Sequence, residues 1–450
     1  MSASTSKLAP IPAGSSQASV AEIARRARAA SRLLAKLSNP QRNEVLQAVA
    51  EAIEKAMPQI LAANAADCRA AEPAVKSGDM TTAMLARLGD QQKLANMPGY
   101  VRSVASLPDP LGKRLTATEL DDGLTLYKET CPLGVIGVVF ESRPEVISQV
   151  AALTLKSGNA VILKGGSEAA RSNDVIVSVW RDCLGQFPAV PADAIQLLHT
   201  REEFTELLSR DRDVDLIVPR GSYELVHFVM RNSRIPVLGH GEGICHVYVD
   251  AAADLDKAVA VTVDAKVQGP AICNAAETLL VHRAVAKQFL PKVATKLGEA
   301  GVEIRGCPET MPLLAGTPVV PATEKDWATE YCDLILSVKV VADEDEAIAH
   351  INQYGSRHTD AIVTEDSKAA RKFMDEVDSA GVFQNASTRF SDGYNYGLGA
   401  EIGISNSKLH ARGPMGLEGL TTYKYKLFGN GHTVAEYSQG LKHFKHRPIK

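Results

Sequence analysis

A chain of 450 residues has room for about three structural units and buries ample apolar surface without disulfide staples. Its 45% hydrophobic and 23% charged residues are those of a soluble globule and exclude wholesale disorder, collagen and coiled coil. With 49 basic against 53 acidic residues, a net charge of -4 creates no field that recruits nucleic acid or an anionic membrane, which leaves a small molecule as the expected partner.

Residues 1–19, rich in Ser, Ala and Pro and without Arg, read as a disordered tail. From residue 20 to about 72 the pattern is helical. Ser38-Asn39-Pro40 sets a cap residue ahead of a first-turn proline, and Val45, Val49 and Ile53 then share a face. In 114–129, Leu115 and Ala117 alternate with Thr116 and Thr118, and Leu124 and Leu126 alternate beyond Asp121-Asp122-Gly123, which reads as a β-hairpin. From Pro132, short β-branched runs alternate with amphipathic helices: Val135-Ile136, Val138-Val139-Phe140, Val161-Ile162-Leu163, Ile195 to Leu198 and Leu216-Ile217-Val218. The alternation continues through Val247-Tyr248-Val249, Thr278 to Val281, Leu334-Ile335-Leu336, a helix over 345–352, and Ala361-Ile362-Val363. Buried strands between helices predict an α/β fold with parallel sheets. Thr421-Thr422-Tyr423 opens a strand-like tail; tail and hairpin are either edge decoration or a surface for subunit pairing.

The 7 cysteines are scattered, odd in number and lack a CxxC pair, so neither a disulfide framework nor a zinc site is written here, and no metal is expected. No apolar run approaches the ~20 residues that span a bilayer and no signal-peptide pattern opens the chain, which predicts a cytoplasmic protein with no membrane partner.

Three regions have the composition of chemistry. The turn Gln268-Gly269-Pro270-Ala271-Ile272 delivers Cys273, and the residues behind it suit a short helix before the strand at Thr278. A thiolate at a helix N-terminus is stabilised by free N–H groups and the dipole, which also suit an oxyanion; the alternative is a buried structural cysteine. The strand ending in Lys164-Gly165-Gly166-Ser167 puts a cation, flexible backbone and a hydroxyl where parallel sheets bind phosphate or ribose, or else is an ordinary βα turn. Pro219-Arg220-Gly221-Ser222 repeats the arrangement and points to a dinucleotide. His240 and His246 flank a glycine turn and read as structural. The polar, glycine-rich segments 385–393, 400–404 and 408–414 suit either a loop that fixes an anionic, amino-acid-like substrate or a solvated surface. Phe140-Glu141-Ser142-Arg143-Pro144 can present Arg143 to the same place.

Together these motifs resemble the γ-glutamyl phosphate reductases (glutamate-5-semialdehyde dehydrogenases), a branch of the aldehyde dehydrogenase superfamily. The likeness runs from about residue 20 to 431 and rests on Val139-Phe140-Glu141-Ser142-Arg143-Pro144-Glu145-Val146, Cys273-Asn274-Ala275-Ala276-Glu277-Thr278, 385–390 and 401–424. The resemblance implies an aldehyde dehydrogenase-like α/β fold with a Rossmann-like cofactor domain (20–113 and 130–245), an α/β catalytic domain (246–395) and oligomerisation elements (114–129 and 413–450). It implies Cys273 as nucleophile, Lys164, Gly165 and Ser167 as adenosine-side contacts, Gly221 and Ser222 as the nicotinamide-side turn, and Glu330 on the nicotinamide ribose. Arg143, Asn385, Arg389 and Arg412 are its candidates for holding the substrate's α-carboxylate and phosphate.

His240 stands where oxidising members keep a glutamate that activates water, so the resemblance implies acyl transfer to phosphate and not hydrolysis. Ser167 replaces a carboxylate that would repel a 2′-phosphate, which implies NADP(H). Ser142 stands nearest the missing oxyanion-hole asparagine, leaving backbone N–H groups near Cys273 for that work. The implied activity is NADPH-dependent reduction of L-glutamyl 5-phosphate in proline biosynthesis, by a cytoplasmic homo-oligomer with the upstream glutamate kinase as a candidate partner. A hydrolytic semialdehyde dehydrogenase and a silent oligomeric scaffold are the alternatives.

Overall fold

The computed structural model describes residues 18–449 apart from His240; the expectations for the tail up to residue 17 and for His240 fall outside the described residues. The helical stretch expected from Val20 is two helices. Val20–Leu34 is capped by the Ser19 hydroxyl, and Asn39–Ser77 begins on a capping box in which Ser38 and Gln41 satisfy each other, with Pro40 in the first turn where it gives up no hydrogen bond. Val45, Val49 and Ile53 all point into the core. The second helix ends on Gly78 in the left-handed conformation.

The hairpin follows as β1 (Arg114–Asp121) and β2 (Leu124–Pro132), three residues longer at its end than the sequence pattern indicates. Next come β3 (Val135–Phe140), β4 (Ala160–Lys164), β5 (Ile195–Leu198) and β6 (Leu216–Arg220), a parallel sheet in the order β5-β4-β3-β6. Every residue of β3 is buried, as a strand covered on both faces requires. A second parallel sheet collects β7 (Cys245–Val249), β8 (Ala276–His282), β9 (Glu303–Gly306), β10 (Val319–Pro321), β11 (Ile335–Val341), β12 (Thr359–Val363) and β13 (Gly381–Gln384). Its order is β10-β9-β11-β8-β7-β12-β13.

The chain then returns to the first sheet. β14 (Gly403–Ser405) and β15 (Gly413–Met415) form a short antiparallel pair, and Gly403 packs on Val218 of β6. Ile402, Met415, Leu417 and Leu420 belong to the same buried core as β3 and β4, so 413–420 serves the first core before the chain enters the outer sheet. Finally β16 (Thr421–Phe428) runs antiparallel along β2, and β17 (Arg447–Pro448) pairs with β1, giving the order β16-β2-β1-β17. The strand signalled by Thr421 to Tyr423 thus extends to Phe428, because the whole length of β2 is available to pair with it.

Asn159, in the turn before β4, joins these parts. Its Oδ1 accepts the Gly134 N–H at 2.7 Å at the start of β3, and its Nδ2 donates to the Leu420 carbonyl at 2.8 Å. Asn159→Ala strands a donor and an acceptor and is expected to lower stability by about 2–3 kcal/mol. A urea unfolding midpoint is the check, and one unchanged from the parent contradicts the role.

Candidate active site

Cys273 is half-buried in the loop between the helix Leu255–Val267 and β8. The helix expected behind it is absent. Hydrogen bonds from Ile272 N–H to the Gly269 carbonyl (3.1 Å) and from Ala275 N–H to the Ile272 carbonyl (2.8 Å) fold 269–275 into turns, and β8 begins at Ala276. The thiol therefore gains nothing from a helix dipole. The N–H groups of Cys273 and Asn274 donate to no acceptor among the described residues.

Five contacts hold this loop. At its base Lys266 donates to Glu277 at 2.6 Å, both side chains almost fully buried; burial pushes the Glu277 carboxyl up, and the charge of Lys266 opposes that rise. Behind the thiol residue, Asn274 donates through Nδ2 to the Ser391 carbonyl (2.9 Å), and its own carbonyl accepts from the Thr388 hydroxyl (2.6 Å). Beneath it, Gly243 is so close that a Cβ there would overlap the Cys273 carbonyl. The Cys245 thiol donates to that same carbonyl at 3.4 Å.

The charge around Cys273 comes from arginines. Arg389 donates through Nε to Gln268 Oε1 at 2.8 Å, while its Nη1 is buried with no partner among the described residues. Burial lowers its pKa, and the largest opposing contribution is the charge of Cys273. Arg220, at the end of β6, bonds the Glu401 carbonyl at 3.3 Å and lies 3.8 Å from its carboxylate; burial lowers its pKa also, with Glu401, Glu145 and Cys273 pulling the other way and Arg143 adding to the fall. Arg143 is half-buried, and its guanidinium has no hydrogen bond or ion pair among the described residues. Arg87, from the helix Thr82–Leu88, shares a field with Arg143, Glu141 and Cys332.

Carboxylates tie down the turns at the carboxyl ends of β3 and β6. Glu141 accepts the Ser222 N–H at 2.8 Å at the start of the helix Tyr223–Asn232 and lies where a Cβ on Gly221 would be. Glu168 accepts both the N–H (2.6 Å) and the hydroxyl (2.8 Å) of Ser142, whose φ is +49°. Lys164 donates to the Gly165 carbonyl at 2.5 Å; burial lowers its pKa, opposed by Glu168 and reinforced by Arg201. The Ser222 N–H at this helix start is thus taken by Glu141, and a dinucleotide phosphate at this turn has to displace that carboxylate.

The aldehyde dehydrogenase family model matches residues 2–310. The γ-glutamyl phosphate reductase of Synechococcus sp. (strain JA-3-3Ab) is 54% identical over 423 residues, 94% of this chain and 92% of its own. The crystal structure of γ-glutamyl phosphate reductase from Thermotoga maritima superposes with a TM-score of 0.88 at 41% identity, covering 92% of this chain and all of that one. The chain belongs to the γ-glutamyl phosphate reductase branch of the aldehyde dehydrogenase family. An acetylating aldehyde dehydrogenase of Geobacillus thermoglucosidasius, 18% identical with a TM-score of 0.64 over 92% of this chain and 97% of its own, shares the fold.

Within this reductase-family fold the remaining sequence candidates fall in different places. Asn385, at φ +52°, uses its amide on the backbone of Thr364, accepting at 2.9 Å and donating at 3.0 Å, and so fixes the turn after β13. Arg412 donates to the Asp378 carbonyl and carboxylate, both at 3.0 Å, beside Lys408 and Arg357 on the same acid. Glu330 lies beside Cys332, whose thiol is pushed up to about 12 by burial and by the charges of Glu330 and Glu277. His246 is structural, with Nδ1 2.8 Å from the Asp360 carboxylate and both side chains fully buried. Thr388, Ser391, Gly243, Glu141, Glu168, Arg87 and Arg201 carry no site signal of their own in the sequence. Thr388 and Ser391 stand inside the motif that carries Arg389, which was the available signal.

Gly243→Ala must displace the carbonyl of the cysteine, and a misplacement of that size costs about 100-fold in kcat/KM. Cofactor-coupled turnover measured beside circular dichroism checks this: a folded variant with full turnover contradicts the contact.

Proposed function

We propose that this protein reduces L-glutamyl 5-phosphate with NADPH to L-glutamate 5-semialdehyde and inorganic phosphate, the second step of proline biosynthesis from glutamate, as a cytoplasmic homo-oligomer. The observation that carries it is the half-buried Cys273 on a loop fixed from both sides, with the partnerless Nη1 of Arg389 in its field. Family membership supports the same reaction.

The Cys273 thiolate attacks the acyl carbonyl, the C–S bond forms, and the C–O bond to phosphate breaks as the tetrahedral adduct collapses to a thioester. The N–H groups of Cys273 and Asn274, free of any acceptor among the described residues, would serve the oxyanion. Arg389 receives the departing phosphate, and Arg143 clamps the α-carboxylate. Arg412 and Asn385 support the loops. NADPH, when bound, supplies the hydride that takes the thioester to a thiohemiacetal, whose collapse returns the thiolate and frees the aldehyde. Lys164, Gly165 and Ser167 would hold its adenosine side, Gly221 and Ser222 its nicotinamide side, and Glu330 its nicotinamide ribose. Neutral Ser167, with Lys164 and Arg201 sharing one field, supports NADPH over NADH. His240, standing in sequence where hydrolytic members keep a glutamate, supports phosphate over water as the acyl partner. A labile acyl phosphate supports handover from the glutamate kinase that makes it. The exposed Tyr423, Tyr425, Leu427 and Phe428 on β16 support subunit pairing.

In the reverse direction, NADP⁺ and glutamate semialdehyde are expected to give NADPH only when phosphate is added; equal formation without phosphate means that water takes the acyl group and the protein is a hydrolytic dehydrogenase. Cys273→Ala is expected to lose at least about 1000-fold in kcat while NADPH binding by fluorescence stays within a factor of about three of the parent. Retained turnover removes the nucleophile.

A further inference from the structure

Glu145 follows Pro144 on the turn that carries the chain from β3 into the helix Val146–Lys156, and it is 4% exposed. Burying a carboxylate is costly unless something bonds it. Here only its own backbone N–H does so; no other hydrogen bond and no ion pair closes on it among the described residues. Nor does it cap the helix that starts beside it: its backbone is already helical, and its side chain makes no capping hydrogen bond. A structural duty does not account for it.

The charges around it leave a definite remainder. The charges of Arg143, Lys93 and Arg220 act on Glu145, and the charge of Glu145 acts on the Tyr100 hydroxyl. Lys93 is paired with Asp90 at 3.1 Å, and Arg220 with Glu401. Once these pairs are set aside, one buried carboxylate and one half-buried guanidinium, Glu145 and Arg143, remain on a single turn. Their charges mirror the ammonium and carboxylate of an α-amino acid. Arg220 lies in the fields of both Cys273 and Glu145, which puts this turn and the thiol in one electrostatic neighbourhood.

We propose that Glu145 receives the substrate's α-ammonium while Arg143 holds its α-carboxylate, so that this turn selects an α-amino acid over the same acid without its amino group. The inference rests on the acyl phosphate reduction given above. Glu145→Gln keeps the shape and removes the charge. With NADP⁺ and phosphate, its kcat/KM for glutamate semialdehyde is expected to fall about 100-fold, mostly through KM, and that for 5-oxopentanoate by less than about threefold. An equal fall for both aldehydes overturns the inference alone. A parent protein that turns over neither overturns the reaction and this inference with it. A measurement without substitution guards against misfolding: L-glutamate is expected to protect Cys273 from iodoacetamide at a concentration about tenfold lower than glutarate. Equal protection by the two overturns the assignment.

Discussion

The ion pair between Lys266 and Glu277 is the fixed point beneath the reactive loop. Both groups are out of water, so removing either leaves an uncompensated buried charge at a cost of about 3–5 kcal/mol. One partner stands at the end of a helix and the other at the start of β8, and the loop that carries Cys273 spans the gap between them. With its two ends anchored, the loop is closed from above by Thr388 and Ser391 on Asn274 and from below by Gly243. These contacts come from three separate stretches of chain, and none touches the sulfur. The thiol is thus left to chemistry while the backbone that aims it is held by others.

Electrostatics divides the cleft into two kinds of cation. Arg220 and Arg412 are answered by Glu401 and Asp378 and bind parts of the fold together. Arg389 keeps a donor without a partner, and Arg143 has no counter-ion among the described residues. Keeping an unanswered guanidinium partly out of water costs stability, and sites that bind anions are where that cost is met. The carboxylates of Glu141 and Glu168 play a different part: each closes a backbone turn, Glu141 at Ser222 and Glu168 at Ser142, so these turns are ordered by the chain itself.

The parallel sheets are legible in the sequence because a strand buried on both faces must be a short, continuous β-branched run, and runs such as 135–140 and 161–163 have no other comfortable use. The hairpin is legible for the same kind of reason, since Asp122-Gly123 supplies the positive φ its turn needs. The turn that presents Cys273 is read correctly, but the helix behind it is not. Asn-Ala-Ala is locally compatible with helix, and only the distant Thr388 and Ser391 draw Asn274 into a turn. The same blindness to partners covers the arginines: Arg389 and Arg412 look alike as letters, and only Gln268 and Asp378 set them apart. Asn385 is a ligand candidate by resemblance alone, and in the fold its positive φ and its amide on Thr364 make it a turn residue.

The return of 400–420 to the first core also constrains the order in which this chain can fold. Asn159 sits 261 residues before Leu420, whose carbonyl it holds, and Ile402 and Met415 fill space beside strands made from the first half of the sequence. A ribosome therefore releases β3 to β6 long before the apolar surface they need is complete. Contacts of such high sequence separation slow folding and leave hydrophobic surface open in the interval. During synthesis the first sheet must wait, partly uncovered, while the second is built and the chain comes back to close it.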